Sequence, residues 1–561
     1  MKGFSITCVN ERRGIMGYLQ SFWGEMWKWH EDIKKFLLLF SAKNDSTEQD
    51  NNNSETASKV VKQNNENNSF KQKRSKKQNI GLLLGPLLFL ITLLFISPPG
   101  MSGEALAVLA STLWIATWWI TEAIPIPATA LLPIVLFPLT GAVTEGVTSA
   151  YADNTIFLFL GGFIIAIAME KWNLHLRIAL SIISVVGTST TKLVLGFMIA
   201  TGFLSMWISN TATAMMMMPI AIAVIAHVNE SIKEDKESGS RFGKSLMLGI
   251  AYAASIGGLG TLIGTPPNMI FAGVVKEIYG VDISFATWML FGVPFAAVLL
   301  AVAWFYLVKI AFPITIKELP GGKEIIKSER KRLGSISFEE KLVLAVFTIT
   351  ALAWITRTFI PFEFMNRIDD TVIAIAAAVV LFILPSKSSS DGQLLNWKDG
   401  VNIPWGILLL FGGGLAIAKG FKDSGLAQWI GEQLTILQGV HLIIVILCVT
   451  ALVTFLTEIT SNTATATMMF PIMASLGLAL NIHPYALMVA AGIAASCAFM
   501  LPVATPPNAI VFGSGYLKII DMVKSGFWLS IFTILFVPVM IYFYMPIAWG
   551  IDITNFPDMF K

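Results

Sequence analysis

From residue 80 onward the chain is a succession of apolar runs separated by short polar breaks. GLLLGPLLFLITLLFIS (81–97) and WLSIFTILFVPVMIYFYMPIAW (528–549) approach or exceed the roughly 20 residues a helix needs to cross a bilayer. The pattern predicts spans at about 81–98, 104–122, 125–140, 154–172, 245–275, 286–311, 340–360, 370–385, 403–420, 484–516 and 525–548. Two further stretches, 174–228 and 424–480, are apolar but segmented. Each carries the polar run Ser-Asn-Thr-Ala-Thr-Ala, at 209–214 and 461–466.

These two runs belong to a longer repeat. FLSMWISNTATAMMMMPI (203–220) and FLTEITSNTATATMMFPI (455–472) are identical at 12 of 18 positions. GTPPNMIFAG (264–273) and ATPPNAIVFG (504–513) follow them, and FLFLGGFIIAIA (157–168) and LLLFGGGLAIAK (408–419) precede them. Three landmarks in one order make an internal duplication. With the first span set aside, each repeat has about five crossings, and an odd number gives the repeats opposite orientations, the inverted plan of many secondary transporters.

In hydrocarbon, irregular backbone survives only where it lines a cavity. Ser, Asn and Thr in a row bond their own backbone and favour a break between two half-helices. Pro266–Pro267 and Pro506–Pro507 remove consecutive donors and turn the preceding residue away from helix. Each half therefore supplies a hairpin tip (SNT) and a broken helix (TPPN), and the two tips are expected to face each other near the midplane. They would offer the hydroxyls of Ser209, Thr211, Ser461 and Thr463, the amides of Asn210 and Asn462, and helix N-termini, which bind anions. Carbonyls freed at the breaks are hard oxygen donors. No Asp, Glu, Lys or Arg lies in either motif, so the pattern suits Na⁺ rather than a proton, with an anion beside it. Small residues also let membrane helices pack closely. Two copies, each followed by TPPN, favour a site over packing alone.

Composition agrees: of 561 residues 55% are hydrophobic and 13% charged, with a mean hydropathy of +0.69, against about 25% charged in soluble proteins. The fold class is an all-α polytopic membrane protein with about eleven transmembrane helices and two re-entrant hairpins. Residues 1–79 hold 23 of the 75 charged side chains and read as a cytoplasmic tail, with an amphipathic stretch at 16–40 and disorder over 44–69. The first repeat half covers 80–311, with its hairpin at 174–228 and broken helix at 245–275. A cytoplasmic linker covers 312–339, and the second half 340–561, with its hairpin at 424–480 and broken helix at 484–516. The basic runs at 71–77 and 317–332, against no Lys or Arg in 141–153, put the N-terminus inside and the C-terminus outside. A net charge of +3 with no basic face interleaved with aromatics excludes a nucleic-acid partner, and three unpaired cysteines (Cys8, Cys448, Cys497) argue against a disulfide framework or a zinc site. The five histidines fall in the tail or near span ends, which leaves an intramembrane hydrolase without a base. A channel remains a rival on pattern alone.

The doubled SNT and TPPN, with WWITEAIPIPATALLP (118–133) and SCAFMLPVATPPNAIV (496–511), resemble the divalent anion:sodium symporter family over about 80–550, most closely its bacterial C4-dicarboxylate symporters. The resemblance implies an elevator mechanism in a homodimer in the plasma membrane, carrying succinate, fumarate or malate with sodium. Sulfate or citrate transport, or exchange, is the alternative within the same architecture. It maps substrate binding onto Ser209, Asn210, Thr211, Ser461, Asn462, Thr463, Thr505 and Pro506. The first sodium site maps onto Ser205, Ser209, Asn210 and Gly264, and the second onto Thr457, Thr460, Asn462 and Ala504, some through backbone carbonyls only. Glu458, which stands where the first half has Met206, is expected to point away from the site, with cation tuning as the alternative. Glu122 is expected to cap the turn before Pro125, and Lys419 and Lys422 to reach the interface.

Overall fold

The computed structural model describes residues 74–187, 189–231, 235–315, 322–360 and 367–560. The expected amphipathic stretch at 16–40 and the disorder at 44–69 lie outside them. Among the described residues the secondary structure is helical, apart from an isolated bridge between Pro385 and Gln393. In chain order the helices are α1 (Lys76–Phe95), α2 (Gly103–Thr121), α3 (Ile126–Thr129), α4 (Leu132–Thr140), α5 (Asn154–Lys171), α6 (Leu174–Val186), α7 (Thr190–Ser205), α8 (Asn210–Ser231), α9 (Lys236–Gly258), α10 (Pro266–Tyr279) and α11 (Phe285–Phe305). Then come α12 (Gly322–Arg332), α13 (Phe338–Thr356), α14 (Asp370–Ile383), α15 (Trp397–Val401), α16 (Trp405–Asp423), α17 (Leu426–Leu434), α18 (Leu442–Thr457), α19 (Asn462–Ala479), α20 (Pro484–Ser496), α21 (Pro506–Phe512), α22 (Ile519–Val539) and α23 (Met545–Trp549).

Among the described residues eight helices are long and apolar enough to cross a membrane, or nine if the pair Leu426–Leu437 and Leu442–Thr457, bent by 116°, is one span. The expected spans 245–275 and 484–516 are each divided, because the chain unwinds over 259–265 and 497–505. Helices α5 to α11 recur in type and order as α16 to α22. A left-handed residue opens the short helix of each series, Asn173 (φ 55) before α6 and Gly425 (φ 75) before α17. A π-helical turn closes each, Tyr306–Ala311 after α11 and Met540–Tyr544 after α22.

Local sequence sets the helix starts. Ser75 and Gln78 form a reciprocal capping box at α1, as Ser337 and Glu340 do at α13, and Asp153 caps α5. Prolines occupy the first turn of α10, α20 and α21, where the missing N–H has no partner to lose. Packing then interlocks the two series. The TPPN helix α10 lies along the SNT helix α19, and α21 lies along α8. Phe271 of α10 accordingly meets the Phe470 ring of α19 at 6.1 Å. Each broken helix is thus braced by the opposite hairpin, which brings the two tips to one place. At the far end of α16, Lys419 pairs with Asp423 at 2.8 Å and Lys422 donates to the Glu277 carbonyl at 2.8 Å.

The hairpin is held by close backbone contact. A Cβ on Gly257 of α9 would stand 2.2 Å from the carbonyl oxygen of Gly202 in α7. Neither partner is a side chain that could swing aside. Gly257→Ala should therefore destabilise the protein by about 1–3 kcal/mol or more. Thermal unfolding of the purified protein checks this, with Gly103→Ala, whose Cβ meets nothing within 4 Å, expected to leave the midpoint unchanged.

Candidate functional site

Each SNT run is a helix N-cap. Ser209 Oγ accepts from Ala212 N at 3.2 Å to open α8, and Ser461 Oγ accepts from Ala464 N at 3.5 Å to open α19. The next residues, Asn210-Thr211 and Asn462-Thr463, supply first-turn N–H groups that have no intrahelical acceptor, at the positive end of the helix dipole. Thr505 opens α21 in the same way, its Oγ1 accepting from Asn508 N at 3.3 Å. Ser209, Asn210, Thr211, Ser461, Asn462, Thr463, Thr505 and Pro506 all line a single cavity of about 530 Å³, together with Gly264, Thr265 and Ala504. Phe159 and Phe163 of α5 and Ile407 of α16 form an apolar wall. The structure thus brings together every expected substrate residue, in a space of ligand-pocket size.

Behind each tip lies a cluster of oxygens. In the first half, Asn210 Oδ1 lies 3.2 Å from the carbonyl oxygens of Gly264 and Ala254, with Ser205 Oγ bonded to it. Ser205 is fully buried and also reaches the Ala254 carbonyl at 2.6 Å. Turned with its nitrogen toward these oxygens the Asn210 amide donates to Gly264 and Ala254; turned with its oxygen toward them it would complete an all-oxygen set for a cation. In the second half, Thr457 Oγ1 stands 2.7 Å from Asn462 Oδ1 and 2.7 Å from the Ala495 carbonyl. Serine, asparagine and alanine carbonyl recur as threonine, asparagine and alanine carbonyl. An all-oxygen set without a carboxylate suits a hard monovalent cation.

Not every expected sodium residue joins these clusters through its side chain. Thr460 lines the cavity, but its hydroxyl is committed to the Leu456 carbonyl at 2.7 Å and to Thr465 at 2.6 Å. Ser209 spends its hydroxyl on capping, and Ala504 contributes to the wall. The carbonyls of Ala254 and Ala495 were not expected. Backbone atoms carry no residue-type signal, and only the repeat relates these two positions.

Glu458 is buried and turned from the cavity. Its carboxylate accepts from the backbone N–H of Phe499 at 2.8 Å, Met500 at 2.9 Å and Leu501 at 3.1 Å. It therefore fastens the unwound stretch that carries Ala504 and Thr505 to the hairpin. In the first half Met206 cannot do this, and Thr261 does it instead. Its hydroxyl donates to the Met206 carbonyl and accepts from Gly264 N at 3.1 Å. Asn268 and Asn508 add matching ties, from Asn268 Nδ2 to the Thr261 carbonyl at 2.8 Å and from Asn508 Nδ2 to the Leu501 carbonyl at 3.0 Å.

The expected capping bond from Glu122 is not made. Glu122 ends α2 in the left-handed region (φ 51), so its backbone turns the chain and its side chain stays exposed on the cavity wall. Lys77, from the start of α1, lines the cavity too.

The sequence matches the family model described as "Sodium:sulfate symporter transmembrane region" over residues 76–550. A protein of Staphylococcus saprophyticus named sodium-dependent dicarboxylate transporter SdcS is 51% identical over 497 residues, covering 87% of this chain and 96% of that one. Its namesake in Staphylococcus aureus strain USA300 is 52% identical with the same coverage. Among solved structures, the YdaH transporter of Alcanivorax borkumensis is similar with a TM-score of 0.52 and 13% identity, covering 80% of this chain and 100% of that one. MtrF of Neisseria gonorrhoeae is similar with a TM-score of 0.52 and 12% identity, covering 84% and 96%. At such identities the likeness is one of fold.

Proposed function

Because the chain belongs to the family of the sodium:sulfate symporter transmembrane region, we propose that it imports C4-dicarboxylates such as succinate, fumarate and malate in symport with sodium. The observation that carries this reading is the pair of capped helix N-termini, one from each half, lining one cavity with an oxygen cluster behind each. Each carboxylate of the dianion would be held by one tip, Ser209-Asn210-Thr211 or Ser461-Asn462-Thr463, with Thr505 and Pro506 at its side. The substrate named for the staphylococcal relatives supports a dicarboxylate over sulfate.

Sodium binds first in this scheme. Neither motif holds a Lys or Arg, so the cations in the two clusters supply the charge that retains the anion. Two sodium ions per dianion make transport neutral. A third makes it electrogenic and adds about 2.3 kcal/mol per 100 mV, roughly a fifty-fold accumulation.

The two series of helices act as an inverted repeat, with about eleven crossings and two re-entrant hairpins. The hairpins and broken helices would move as an elevator against a scaffold in a plasma-membrane homodimer. Residues 80–311 and 340–561 form the two halves and 312–339 a cytoplasmic linker, with the N-terminus inside and the C-terminus outside.

Uptake of labelled succinate into proteoliposomes tests the proposal. An inward sodium gradient should drive saturable accumulation that fumarate and malate compete away. Replacing sodium with choline should reduce uptake to the level of protein-free vesicles. Uptake that persists in choline would contradict the reading, and stronger competition by sulfate than by fumarate would move it to the sulfate branch.

A further inference from the structure

Two charged side chains on the cavity wall belong to neither motif, Lys77 and Glu122, and the other lining residues are uncharged. We propose that Lys77 draws the dianion into the cavity from the face where α1 begins, and that Glu122 opposes it, tuning the mouth between anion and cation. This rests on the transport reading above.

The placement follows from the fold. The capping box of Ser75 and Gln78 fixes the first turn of α1, and both residues line the cavity beside Lys77. A Cβ on Gly81 would overlap the Thr121 side chain, so the start of α1 lies against the end of α2. Lys77 and Glu122 therefore come to the same membrane face, at the rim. Both are exposed, and neither side chain makes a hydrogen bond or ion pair with a described residue. Deeper in, the tips offer only hydroxyls, amides and backbone dipoles. An anion approaching from this face thus meets Lys77 as the cationic side chain on the wall, while one approaching from the opposite face does not pass it. Lys76, one residue earlier, does not line the cavity.

Charge at a rim acts on capture rather than on turnover, and salt screens it over about 8 Å at 0.15 M ionic strength. The test is the initial rate of labelled succinate uptake by inside-out and right-side-out membrane vesicles at fixed sodium, with ionic strength raised by choline chloride. Lys77→Gln should raise KM for succinate roughly threefold to tenfold at low ionic strength, with kcat unchanged, in inside-out vesicles only, which present the cytoplasmic face where α1 begins. Lys77→Glu should raise it further, Lys77→Arg should match the wild type, and Glu122→Gln should lower it. The differences should shrink as choline chloride is added. Lys76→Gln serves as the neighbouring control and should leave KM unchanged. An unchanged KM in Lys77→Gln, an equal rise in both orientations, or the same rise in Lys76→Gln would overturn the proposal. Variants that behave alike while the wild type transports with sodium remove only this role of Lys77; a wild type without sodium-dependent uptake removes the transport reading as well.

Discussion

Alanine at Asn210 or at Asn462 is expected to reduce sodium-driven succinate uptake at least roughly a hundredfold, with the protein still folded. Each amide has two tasks. Its side-chain amide faces the cluster behind the tip, with Ser205, Ala254 and Gly264 in one half and Thr457 and Ala495 in the other, and its oxygen turned that way is the cation ligand. Its backbone N–H belongs to the first turn of the helix that faces the cavity. Truncation leaves the N–H in place and removes the oxygen, so the loss falls on the cation first. A missing ligand to a charged group costs about 3 kcal/mol, which is two orders of magnitude. The loss should appear in both variants, because two sodium ions are needed to balance a dianion. Uptake is the measurement, with thermal unfolding as the control for folding. Normal activity in either variant would remove that half of the site.

Glu458→Ala should be the most damaging change outside the cavity lining. It leaves the N–H groups of Phe499 and Met500, which are buried, and of Leu501, which is half-buried, without their acceptor. A buried donor left unpaired costs about 1–3 kcal/mol, so a destabilisation of about 3 kcal/mol or more is expected. Transport should fall with it, since the released stretch carries Ala504 and Thr505 of the cavity wall. Glu458→Gln should lie between alanine and the wild type, because the amide keeps one acceptor oxygen and turns an NH₂ group toward donors. Thermal unfolding and uptake measured together check both variants. A Glu458→Ala protein with wild-type stability and uptake would show that the three hydrogen bonds do not hold the stretch.

The substrate tips were legible because chemistry and repetition coincide in them. Ser, Asn and Thr in an apolar run have a cost that only a cap or a cavity relieves, and the second copy repeats it. The Pro-Pro pairs marked the starts of α10 and α21 for a similarly local reason. What stayed hidden is carried by backbone or by distance along the chain. The carbonyls of Ala254 and Ala495 complete the oxygen clusters, yet alanine in a helix gives no hint of such use. Glu458 finds its partners 41 to 43 residues away, and all three are main-chain groups. The exchange of Met206 for Glu458 between the halves therefore looked like an exception in sequence. In three dimensions Glu458 and Thr261 perform one task with different side chains. The Thr460 hydroxyl was hidden for the opposite reason: one residue before the SNT run it bonds within its own hairpin, which leaves its carbonyl as the group to face a cation. Lys77 reaches the cavity through the packing of α1 on α2, a contact that no local pattern encodes. The segments 245–275 and 484–516 are continuous in hydropathy, and it was their Pro-Pro pairs that gave away the breaks the helices show at the functional loops.

Equilibrium binding of labelled succinate to the purified protein, titrated with sodium at constant ionic strength, is the most direct test of two tips holding one dianion between cations. Binding should be undetectable in choline, should rise with sodium more steeply than a single-site curve, and should be lost in both Asn210→Ala and Asn462→Ala. Succinate bound equally well without sodium, or bound normally when one of the two asparagines is gone, would contradict it.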